Sequence, residues 1–61
     1  MDNALFQKIS KAMARAEKAT AKSLGRKLKP DEMEEVDETV CYRNEVHPDD
    51  FFAACMERAV V

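Results

Sequence analysis

Glycine, proline, cysteine and histidine are scarce in this chain, and each scarcity removes a class of protein. One Gly and two Pro in 61 residues leave too little turn material for a sandwich or barrel, and a chain rich in Ala, Lys and Glu favours helix. Gly25 stands alone, so no Gly-rich loop exists to cradle a phosphate. Two cysteines, Cys41 and Cys55, are too few for a disulfide scaffold, and no secretory signal precedes them. A cytoplasmic protein with reduced thiols is therefore expected. Long apolar runs are missing too: residues 1–19 break their apolar positions with charge every few residues, which suits neither a signal h-region nor a membrane span.

Chemistry-bearing groups are equally sparse. Cys41, His47 and Cys55 are the candidate soft metal ligands, but their intervals exceed the compact pairs that zinc prefers, and a carboxylate would have to supply the fourth bond. His47 precedes Pro48 at a predicted helix start, and a chain this short offers little concavity for a pocket of about 300 Å³. The reading is a non-enzyme with no catalytic residue, no cofactor and no metal.

Acidic residues are nearly absent from the first half, where only Asp2 and Glu17 precede Pro30. Residues 1–29 carry eight basic side chains against those two, a net +6, whereas residues 30–61 carry two basic and ten acidic, a net −8. The overall −2 conceals this division. Lys8, Lys11, Arg15, Lys18, Lys22 and Arg26 recur at intervals of three or four, which stacks them on one helical face. No carboxylate lies three or four residues from any of them. Like charges at that spacing cost about 0.2–0.5 kcal/mol per pair, softened by salt, so an anionic surface is expected to face the stripe.

What is present reads as a small all-α domain over residues 1–61, with one long amphipathic helix and two shorter ones. The first spans about 3–24, capped by Asp2 or Asn3 and ended at Gly25. Its seam Leu5, Ile9, Ala12, Ala16, Ala19 and Ser23 alternates spacings of four and three as a coiled-coil seam does. Leu28-Lys29-Pro30-Asp31-Glu32-Met33 and Val46-His47-Pro48-Asp49-Asp50-Phe51 share one start grammar: apolar, any residue, proline, two acids, apolar. Proline suits the first helical position, the acids face the positive end of the dipole, and the apolar pair can form a staple. Helices over about 30–42 and 48–60 follow, with residues 39–43 alternatively extended because Thr39 and Val40 are β-branched. Phe51, Phe52, Cys55, Met56 and Ala59 share a face of the third. Phe6 and Tyr42 are either exposed anchors or parts of a thin core.

A 61-residue domain buries only about 60% of its unfolded surface, so a second subunit is a natural source of missing core. The expected function is a regulatory or accessory interaction module that binds another protein or a second copy of itself, a homodimer along the first-helix seam. Such proteins are common among phage and mobile-element genes. The alternative is a nucleic-acid binder that uses the cationic face with weak sequence preference, since lysine reads bases poorly.

Overall fold

The computed structural model describes residues 1–59, which form three helices: α1 (Asn3–Leu24), α2 (Pro30–Arg43) and α3 (Pro48–Ala59). Among the described residues there is no strand, and α1 is the longest element. Residues 39–43 are helical because Val40 and Cys41 turn into the core, where packing overrides β-propensity. The Val60 end of the expected third helix lies outside the described residues.

Local chemistry sets each boundary. The Asp2 carboxylate accepts the Ala4 N–H at 3.3 Å and starts α1. Glu32, on the first turn of α2, accepts the N–H of Lys29 at 2.9 Å, and His47 Nδ1 accepts that of Asp49 at 3.1 Å as α3 begins. Proline opens both helices. The exits of α1 and α2 share a motif. Gly25 N–H donates to Lys22 C=O and Arg26 N–H to Ala21 C=O, while Glu45 N–H donates to Tyr42 C=O and Val46 N–H to Cys41 C=O. Each pair is a Schellman cap around a left-handed residue, Gly25 at φ 71° and Glu45 at φ 59°. Glycine holds that conformation without a Cβ penalty; glutamate does not. Glu45→Gly is therefore expected to stabilise the fold by about 0.5–1 kcal/mol and Gly25→Ala to destabilise it by about 1 kcal/mol. Urea denaturation of the two variants checks the opposite signs.

The five residues between α1 and α2 fold the chain back, so the two helices form an antiparallel hairpin. Ile9 and Met13 of α1 meet Val40 and Cys41 of α2, and α3 closes one flank with Phe51 and Ala54. The Phe51 ring stacks on Phe6 with centroids 5.1 Å apart, and the Arg58 guanidinium lies 4.0 Å over the same Phe6 ring. Phe6 is thus part of the core, whereas Tyr42 is exposed.

The sequence widens the seam on one side with Phe6, Met13, Thr20 and Leu24, and because α3 docks on that flank the buried sector of α1 is centred there, at Phe6 and Met13. Ile9 is fully buried, Leu5, Ala12 and Ala16 are half-buried, and Ala19 and Ser23 are exposed. Length acts at the other end: α1 has 22 residues and α2 has 14, so the N-terminal end of α1 extends past α2, and α3 covers it by stacking Phe51 on Phe6. In α3 the core side centres on Phe51 and Ala54, leaving Phe52 and Met56 exposed although the apolar pattern grouped them inward.

Candidate interaction surface

Lys8, Lys11, Arg15, Lys18, Lys22 and Arg26 are all exposed. The stripe they form lies roughly 160° around α1 from Ile9 and Met13, so it points away from the hairpin core. Arg26, just past the helix end, swings back to Glu32: its two terminal nitrogens donate to the two carboxylate oxygens at 2.7 and 2.8 Å. The paired guanidinium and the Lys29 N–H hold the Glu32 carboxyl down at about 2, and the same pair raises Arg26. Among the described residues, Lys8, Lys11, Arg15, Lys18 and Lys22 make no ion pair within 4.0 Å. The acidic segment of α2 neutralises one end of the stripe and leaves the rest to solvent.

On the flank away from α3, α1 and α2 enclose an open groove of about 380 Å³. Ala16 and Thr20 of α1 and Val36 and Val40 of α2 form its floor. Glu32, Glu35, Thr39 and Arg43 line its α2 side. The Thr20 hydroxyl donates to Ala16 C=O at 2.7 Å and that of Thr39 to Glu35 C=O at 2.9 Å, so both hydroxyls are satisfied within their own helices.

A second polar feature lies inside the hairpin. Asp37 Oδ1 is buried without a hydrogen-bond partner, and Glu17 of α1 faces the same carboxyl. Burial, then the adjacent Glu17 carboxyl, push Asp37 up to about 7. The cationic stripe drew attention in the sequence, but this pair was also legible: Glu17 follows Ile9 and Met13 at intervals of four and so shares their inward face. Nearby, the buried Cys41 thiol is raised by desolvation and then by the charges of Asp37, Cys55 and Glu38. Both cysteines are free. Among the described residues no three His, Cys, Asp or Glu side chains converge as metal ligands, and no helix is long and apolar enough to cross a membrane.

Comparison with family models, curated proteins and solved structures returned no match.

Proposed function

We propose that the protein is a small non-enzymatic helical interaction module of regulatory or accessory type, whose outer α1 face engages an acidic protein surface. The observation that carries this reading is the row of five cations, Lys8, Lys11, Arg15, Lys18 and Lys22, exposed and without an ion pair among the described residues. Such a row opposes helix formation by about 0.2–0.5 kcal/mol for each neighbouring pair, a cost that an anionic partner removes. A protein partner fits better than a polyphosphate because the outer positions of α2 and α3 carry Asp31, Glu34, Glu35, Asp49, Asp50 and Glu57, which repel an extended nucleic acid. The partner pool includes a second copy of the chain, as a homodimer.

Nucleic acid is the second reading, favoured by the exposure of all five cations on one ridge. One pair of measurements separates the two. The immobilised full chain is expected to retain an acidic protein from lysate of its native host, and Lys11→Glu/Lys18→Glu is expected to lose it. Duplex DNA is titrated in parallel at 50 and 200 mM salt. Tight binding that falls about 10²-fold or more across that range would transfer the stripe to nucleic acid.

A further inference from the structure

We propose that the apolar pocket at the turn end of the α1–α2 hairpin receives a bulky aliphatic side chain of the acidic protein partner, whose neighbouring carboxylates meet Lys18 and Lys27. The proposal rests on the acidic-partner reading above and names what that partner must carry: an aliphatic anchor set among acids.

At the other end of the hairpin α3 closes the core, where Phe51 stacks on Phe6. Toward the turn, α1 and the chain that enters α2 enclose an open pocket of about 410 Å³, with no α3 residue on its wall among the described residues. Ala14 and Ala21 give it a low wall on α1, and Leu28 and Met33 a taller one opposite. Ala14 is exposed, Ala21 and Leu28 are half-buried, and Met33 is 41% exposed, so apolar surface stands open to water here. A side chain that fills the hollow between the alanines and Met33 removes that surface from water.

Charge selects the occupant. Three charged side chains line the pocket: Lys18, Lys27 and Glu17. Both lysines are exposed and make no ion pair within 4.0 Å among the described residues. Glu17 is half-buried and faces Asp37 inside the hairpin, so the lysines hold the mouth. The pocket also adjoins the cationic stripe: Ala14 lies three residues after Lys11 and four before Lys18, and Ala21 three after Lys18, spacings that make each pair neighbours on α1. An anchor seated in the pocket therefore has cations beside it and along α1 on either side. Glu34, exposed next to Met33 on α2, turns the partner's acids toward α1. Nucleic acid fits poorly, because the wall offers no aromatic ring on which a base can stack. An acidic segment with an aliphatic side chain on one face matches both the hollow and its rim.

Two blocked peptides test the proposal by nuclear magnetic resonance on the full chain at low salt. One is a run of Asp and Glu with two Leu four positions apart; the other has Ser at both places. Both are expected to move the amide signals of Lys11, Lys18 and Lys22. Only the Leu peptide is expected to move the methyl signals of Ala14, Ala21, Leu28 and Met33, and to bind about 10-fold or more tightly than the Ser peptide. Ala14→Glu and Lys27→Glu, both at exposed positions, are expected to fold by circular dichroism and to weaken the Leu peptide about 5-fold or more. Equal affinity for the two peptides overturns this inference and leaves the acidic-partner reading standing. Leu-peptide binding undiminished in Lys18→Glu/Lys27→Glu overturns the acidic occupant, and methyl shifts confined to Thr20 and Val36 place the contact in the other groove and overturn it too. Pocket methyl signals that move with the concentration of the chain alone would give the pocket to a second copy instead. Binding of neither peptide removes this inference together with the reading it rests on.

Discussion

Phe51→Ala is expected to leave the protein largely unfolded at 25 °C. The ring is 4% exposed and is the largest side chain that α3 places in the core. It stacks on Phe6 and lies edge-on to Phe52, with centroids 5.1 and 6.2 Å away. Truncating a buried phenylalanine costs about 3–5 kcal/mol through lost transfer energy and the cavity left behind. A domain of this length has a total stability of roughly 3–9 kcal/mol at the usual 0.05–0.15 kcal/mol per residue. The loss is comparable to the whole. Its consequences also spread, since Phe6 loses its stacking partner and α3 is left with Ala54, Cys55 and the Arg58 guanidinium over Phe6 against the hairpin. Phe52→Ala supplies the comparison: that neighbour is 38% exposed, and its truncation is expected to cost under about 1 kcal/mol. Far-ultraviolet circular dichroism with urea titration distinguishes the two, and equal effects would show that α3 does not dock through Phe51.

The contrast between these neighbours marks where sequence reading succeeds and where it stops. Helix boundaries rest on local chemistry, so Asp2, Gly25, Pro30 and Pro48 announce them in the chain itself. Which side of a helix faces inward depends on a partner from elsewhere in the sequence. Phe51 and Phe52 are adjacent and both apolar, and only the angle at which α3 meets the hairpin selects the first. The same angle moves the buried side of α1 to Met13 and uncovers Ala19 and Ser23. The cationic positions stay exposed under such a shift because they span the opposite side of the helix, whereas along the narrow seam burial changes from residue to residue, with Ile9 covered and Ala19 and Ser23 open. The pairing of Arg26 with Glu32 was hidden for another reason, since it crosses a loop rather than a helical turn.

The Glu17–Asp37 pair carries the clearest dependence on pH. Asp37 titrates near 3.8 in an unfolded chain and about 7 in the folded one. Between those values the folded protein keeps a proton that the unfolded chain has released, so stability declines as pH rises from about 4 to about 7 and stays lower beyond. Glu32 acts in the opposite sense. Its carboxyl is lowered from 4.5 to about 2, so the stability from its contacts with Arg26 and the Lys29 N–H is present above about 4.5 and lost as pH falls toward 2. The two effects together place a stability maximum near pH 4–5 for these groups, below the usual optimum for globular proteins.

Asp37→Asn isolates the first effect. The amide has no charge to desolvate at any pH, and its NH₂ can donate to Glu17, the α1 carboxyl that faces it, while Cys41 on α2 loses one neighbouring negative charge. At pH 8 the variant is expected to be more stable than the parent by about 1–2 kcal/mol, after allowance for solvent screening of a partly exposed carboxylate. In a domain of this size that gain corresponds to a rise of about 4–16 °C in melting temperature. At pH 4, where the parent's Asp37 is already protonated, the two proteins are expected to melt together. Thermal denaturation at the two pH values reads the difference directly: an equal shift at both, or none at pH 8, would show that Asp37 holds no proton against Glu17 in the folded chain. Cys41 supplies an internal control, because removing the Asp37 charge lets its thiol ionise more readily, and the variant's buried thiol is expected to react faster with a thiol reagent under conditions where both proteins remain equally folded.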